Sequence, residues 1–211
     1  MDIADYGEEY WEDRYRSQIS VWSGQPNTQL VAEVADLAPG SALDVGAGEG
    51  ADSCWLAGRG WRVTALDHAA TALRRGAEHA AEAGVADRIE WVRADVRTWD
   101  PGARRFDLVS AQFLHLRGAE LHDVVTRLAE AVAPGGRVLL VQHDLAGRAH
   151  HEHLADRFVP TPEIASWLPG WAVEVDDVRS REVTGPDREP VTIRDSVFRA
   201  RSAESASHAQ R

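Results

Sequence analysis

The apolar positions of this chain alternate between two spacings. Short, nearly continuous apolar runs recur at residues 42–45 (ALDV), 62–66 (RVTAL), 89–94 (IEWVRA), 106–112 (FDLVSAQ) and 137–142 (RVLLVQ). Runs of this length, rich in Val, Ile and Leu, read as strands covered on both faces. Between them the spacing changes to three and four. Residues 52–59, an alanine-rich stretch from Asp67 to about Ala83, and residues 119–132 predict helices. In the last of these Leu121, Val124, Val125, Leu128 and Val132 share one stripe. Gly60, Gly84 and Pro134-Gly135-Gly136 are the expected stops. Strands that alternate with helices predict a parallel sheet joined by right-handed crossovers.

The two ends break the alternation. Residues 5–17 predict a helix with Tyr6, Tyr10, Trp11 and Tyr15 on one face. A loop with Trp22 and Gly24 follows. Pro26 suits the first turn of a second helix, which carries Leu30, Val31, Val34 and Leu37 and stops at Pro39-Gly40. This region reads equally as two helices packed over a sheet edge or as a cover over a ligand cleft. Near the other end, residues 160–168 predict a short helix. Residues 172–183 and 190–201 are strand-like and are joined by the turn-rich stretch Thr184–Glu189, so they predict a hairpin. The small polar residues 202–211 read as a disordered tail. Residues 1–201 are then one domain, with residues 1–40 as a helical cover.

Composition narrows the setting. A chain of 211 residues, 44% hydrophobic and 27% charged, suits one α/β domain. The net charge of −11, with no dense basic run, argues against a nucleic-acid partner. Cys54 is the sole cysteine, so neither a disulfide framework nor a thiolate zinc site is expected. No apolar run approaches membrane-spanning length, and the acidic start does not read as a signal peptide. The expected setting is cytoplasmic, without a membrane partner. His143, Asp144, His150, His151, Glu152 and His153 cluster in sequence, but they lack a helical metal spacing and read as a solvated loop, with no metal.

Residues 41–67 carry the chemistry. An apolar strand ends in Asp44, and Gly46, Gly48 and Gly50 follow at alternate positions. A helix then begins with its free N–H groups aimed at the turn. The next strand ends in Asp67, about 20 residues on, where an adenosine-binding βαβ unit keeps an acid for ribose hydroxyls. A dinucleotide turn would suffer repulsion from a carboxylate at Asp44, whereas a ligand with ammonium and sulfonium groups would be attracted.

This stretch resembles motif I of the class I S-adenosylmethionine-dependent methyltransferases, in which an acid precedes G-x-G-x-G. The terminal hairpin resembles the end of their sheet. The resemblance implies a Rossmann-like, seven-stranded, mostly parallel sheet with helices on both faces and a C-terminal antiparallel hairpin. It implies S-adenosyl-L-methionine as cofactor, with Asp67 on the ribose and Asp95 and Val96 on the adenine. Backbone near Gly46, and residues around Gln112, would take the methionine portion. The strand-end rule for open sheets places Asp44, Gly46, Ala47, Gly48, Asp67, His68, Asp95, Val96, Gln112, Phe113, His115 and His143 at one rim, with Trp22 above them. Trp11, Arg14, Tyr15, Trp22, Pro26-Asn27, His115 and Arg194 further resemble the tellurite-resistance and thiopurine methyltransferase-like branch.

The expected reaction is in-line methyl transfer to a sulfur, nitrogen or oxygen atom of a small molecule. A protonated acceptor needs a base, and His143 and His115 are the candidates; Arg194 is the candidate for orienting an anionic acceptor. An aromatic wall and the lack of any base beyond histidine favour a thiol or ring nitrogen over a phenol. Two other readings stay open: a nicotinamide-dependent oxidoreductase, and a non-catalytic S-adenosylmethionine-binding subunit. Either a monomer or a homodimer is compatible with the chain.

Overall fold

The computed structural model describes residues 7–114, 116–144, 158–184 and 189–204. Its centre is a seven-stranded sheet in the order β3-β2-β1-β4-β5-β7-β6. The strands are β1 (Ser41–Val45), β2 (Arg62–Asp67), β3 (Ile89–Arg93), β4 (Phe106–Gln112), β5 (Val132–His143), β6 (Ala172–Thr184) and β7 (Pro190–Arg201). The first five pair in parallel. Strand β7 inserts antiparallel between β5 and β6, which is the expected hairpin closing the expected sheet.

Alternation along the strands feeds two cores. Leu43 and Val45 of β1 point to one face and Ala42 to the other. The first face is covered by α5 (Gly118–Glu130), through Leu121, Val124, Val125 and Leu128, and by α6 (Thr161–Ser166), through Ile164. The second is covered by α2 (Thr28–Val34), α3 (Ala51–Gly58) and α4 (Ala70–Glu82), through Leu30, Val34, Leu56 and Ala80. Helices on both faces explain why β1, β2 and β4 read as continuous apolar runs.

Helix α1 (Glu8–Ser17) lies against α4. Tyr15 is buried with Ala69 and Ala72, and Trp11 and Val21 pack around them. Both oxygens of Glu12 accept hydrogen bonds from Thr71, one from its backbone N–H and one from its hydroxyl.

Four details depart from expectation. Pro26 precedes α2 rather than entering it; the Asn27 side chain accepts a hydrogen bond from Gln29 N–H at 2.8 Å, and this cap starts the helix at Thr28. Pro134-Gly135-Gly136 does not separate α5 from the fifth strand but lies inside β5 as an irregularity. The pairing with β4 jumps there, from Phe106↔Val132 to Leu108↔Arg137. A short 3-10 helix, Ala86–Arg88, precedes β3. Residues 202–204, read as the start of a disordered tail, are bonded back to β5: Ser202 donates through its hydroxyl to Ala133 O, and Gly135 N–H donates to Ala203 O. Residues 205–211 lie outside the described residues.

Candidate active site

The strand ends of β1, β2, β4 and β5 open on a cavity of about 600 Å³ beneath the N-terminal cover. Its floor is the turn after β1. Gly46, Gly48 and Gly50 hold φ of +73°, +54° and +80°, a region L side chains avoid. At Gly48 there is also no room: an added Cβ would lie 2.9 Å from the Tyr15 hydroxyl. The Gly46 and Ala47 amides donate to Leu66 O, which fixes the turn to the end of β2. Asp67 then organises the rim, accepting from Gly48 N–H at 2.9 Å and Ala69 N–H at 2.8 Å. Burial pushes its carboxyl up, while those two amides pull the other way.

Asp67, His68, Asp95, Val96, Gln112, His143, Trp22, Gly46, Ala47 and Gly48 all line the cavity. Asp95 is engaged by its own neighbour: the Arg97 guanidinium grips both carboxylate oxygens and holds the group below the usual range. Gln112 donates through Nε2 to Ser110, and its buried Oε1 has no hydrogen-bond partner among the described residues. His115 and the histidines of residues 150–153 lie outside the described residues.

Two expected site residues lie off the cavity wall. Asp44 is not on the wall. It lies beneath the turn, 2% exposed, and Oδ2 accepts the Ser53 hydroxyl at 2.6 Å. Asp52, in the first turn of α3, lines the cavity instead and accepts Asn27 N–H at 2.6 Å. Likewise Arg194 turns away, to Asp144 at 2.9 Å. Arg181 and Ile193, paired across the hairpin, line the cavity, because successive residues of a strand face opposite sides.

Burial pushes Asp44 up to about 7, with the Asp52 and Asp67 charges adding and the Ser53 hydroxyl opposing; burial pushes Asp52 up to about 6. Asp44 sits above its ordinary 3.8, so the folded state holds its proton more tightly than the unfolded chain does. Its stabilising contribution is complete below about pH 4 and is lost as pH rises through about 7. The wild type should therefore lose stability relative to Asp44→Asn across that window, as measured by urea unfolding at both ends. Parallel pH dependence in the two proteins would contradict this.

The cover is held by a residue that sequence reasoning passed over. Glu49, in the glycine turn, is 6% exposed and accepts the backbone N–H groups of Val21 and Trp22. Arg75 of α4 pairs with Glu49 at 2.7 Å and donates to the carbonyls of Tyr15 and Gln18. Trp22 Nε1 donates to the Tyr15 hydroxyl at 2.9 Å, above Gly48. At the far end, Phe113 stacks on His143 with ring centres 4.3 Å apart.

Residues 42–136 match the family model described as a methyltransferase domain. That region holds β1 to β4, the glycine turn, Asp67 and Gln112. Over this stretch the chain is similar to a methyltransferase domain. A 2-heptyl-1-hydroxyquinolin-4(1H)-one methyltransferase of Mycobacteroides abscessus is 30% identical over 129 residues, 59% of this chain and 56% of that protein. The chain thus spans about half the length of the curated relatives it matches. Among solved structures, one described under "Conversion of a Disulfide Bond into a Thioacetal Group during Echinomycin Biosynthesis" matches with TM-score 0.74 at 25% identity, covering 95% of both chains. The N-methyltransferase NodS from Bradyrhizobium japonicum, in complex with S-adenosyl-l-homocysteine, matches with TM-score 0.72 at 17% identity over 95% of this chain and 100% of that one. S-adenosyl-L-methionine is the cofactor of a methyltransferase domain of this fold.

The cavity fits that cofactor on its own terms. The positive-φ glycines leave a cradle with no Cβ, and the unpartnered Gln112 Oε1 offers an acceptor for an ammonium group. Among the described residues no group of three or more His, Cys, Asp or Glu is placed to hold a metal ion, and no helix is long and apolar enough to cross a membrane.

Proposed function

We propose that the chain is an S-adenosylmethionine-dependent methyltransferase acting on a heteroatom of a small molecule. The observation that carries the reading is the cavity over the Gly46–Gly50 turn, with Asp67 at one end and His143 at the other. When bound, the cofactor supplies an activated methyl group. Asp67 would hold its ribose hydroxyls, Asp95 and Val96 its adenine, and Gly46, Gly48 and Gln112 its methionine portion. Trp11, Tyr15 and Trp22 roof the cavity and exclude water. Phe113 and His143 bound the remaining space, where a small acceptor would lie beside a histidine able to take a proton.

Trp11, Arg14, Trp22 and Asn27 support placement in the tellurite-resistance and thiopurine methyltransferase-like branch. Trp11, Trp22 and Asn27 lie on the cavity wall, and the Arg14 guanidinium sits 5.6 Å and 5.5 Å from the Trp11 and Trp22 rings. The relative named for a hydroxyquinolinone keeps heterocyclic acceptors in view. Calorimetric titration with S-adenosylhomocysteine and with NADH tests the cofactor: micromolar affinity for the first and none for the second is expected. A panel of thiols, heterocycles and phenols, scored by S-adenosylhomocysteine release, tests the reaction. Binding without turnover on any acceptor would favour a non-catalytic subunit.

A further inference from the structure

Resting on this methyltransferase reading, we propose that Asp195 is a positioning residue that makes His143 a base, and that the acceptor is a hydroxyl group on a flat ring. Asp195 lies on β7, 0% exposed, behind the cavity wall. His143 Nδ1 is 3.4 Å from Oδ1. Arg181 donates to Oδ2 at 2.5 Å, and Gln29 Nε2 also reaches Oδ2. Burial alone would raise this carboxyl, but the bonds from His143 and Arg181 outweigh burial and keep it ionised.

An imidazole whose Nδ1–H faces a carboxylate presents Nε2 as its acceptor. When Nε2 takes a proton, the new cation rests against an anion that water does not reach, so the charged state is stabilised in place. A thiol or ring nitrogen needs little of this help, whereas a hydroxyl near pKa 10 needs it. The bonds from His143, Arg181 and Gln29 offset the cost of sinking Asp195 out of water.

Ring shape follows from Phe113. It is the non-glycine residue with positive φ, +54°, among the described residues, and its amide is pinned to Val141 O at 2.8 Å. That backbone sets the ring parallel to His143, at 23°, with the Arg181 guanidinium 5.5 Å from its centre. The result is a flat shelf beside the base. In the step itself the hydroxyl proton passes to Nε2 and an oxygen electron pair forms the O–CH3 bond. The S–CH3 bond breaks with its pair on sulfur, leaving a neutral thioether. The proton then leaves His143 for solvent.

The test is Asp195→Asn, nearly isosteric, on 1-naphthol, on a nitrated naphthol already ionised at neutral pH, and on a heterocyclic thiol. Affinity for S-adenosylhomocysteine, read by calorimetry, should stay within about threefold of wild type, which separates this idea from the cofactor reading. Turnover of 1-naphthol should fall about 100-fold, with a loss under about tenfold on the ionised naphthol. If Asp195→Asn does not fold, His143→Gln should show the same dependence on acceptor acidity. Equal losses on all three acceptors, or a wild type that methylates the thiol and no hydroxyl, would overturn the proposal.

Discussion

Asp67→Ala should weaken S-adenosylhomocysteine binding by about 30-fold to 1000-fold, on the order of 2–4 kcal/mol, from loss of charge-assisted bonds to two ribose hydroxyls. The same carboxylate holds Gly48 N–H and Ala69 N–H, so its removal also frees the turn that cradles the ligand. Asp67→Asn keeps an acceptor oxygen and should lose less. Calorimetry measures both, with thermal unfolding alongside to show that each variant is folded. Wild-type affinity in Asp67→Ala would remove Asp67 from the binding site.

The second large effect concerns Gly50→Ala, which should destabilise the fold by about 2–5 kcal/mol. Two costs combine. Gly50 caps α3 with φ +80° and ψ +18°, a left-handed conformation that costs an L residue about 1–2 kcal/mol. Its added Cβ would also fall 2.4 Å from the Trp91 ring edge and 3.1 Å from Gly76 Cα. Relief requires moving a tryptophan wedged between two helices, and such overpacking costs about 1–3 kcal/mol. Gly58→Ala is the matched control: it ends the same helix, has nothing within 4 Å and no positive φ, and should be neutral or slightly stabilising. Chemical unfolding of both variants decides; equal stability would contradict the packing argument.

The elements legible in the sequence are those whose burial is uniform. Strand β4 was readable to its ends because both its faces are covered, and the hairpin because its strands are long and its turn is polar. Pro134-Gly135-Gly136 misled because turn composition does not distinguish a loop from an irregularity inside a strand. Asp67, Asp95 and Gln112 line the cavity as expected of residues at or just past strand ends. Asp44 was read as a wall residue because sequence does not show whether an acid at a strand end lies under the turn or beside it. Arg181 was passed over for Arg194 because hairpin register fixes which arginine faces inward, and register depends on the turn. The pairs Glu49–Arg75 and His143–Asp195 join residues far apart in the chain, so neither leaves a local pattern.

The fastening of the cover distinguishes main chain from side chain. Glu49 and Arg75 reach the Val21 and Trp22 amides and the Tyr15 and Gln18 carbonyls, groups that every residue but proline supplies. The main-chain part of the clasp therefore places no demand on the side chains of Gln18 and Ile19. Ile19, 98% exposed, is already free of core duty. Trp22 to Asn27 meanwhile form one wall of the cavity. Substrate preference and structural integrity are thus separately inherited on this segment. A lineage could retune its acceptor there one substitution at a time, while two charged residues on the neighbouring elements keep the roof in place.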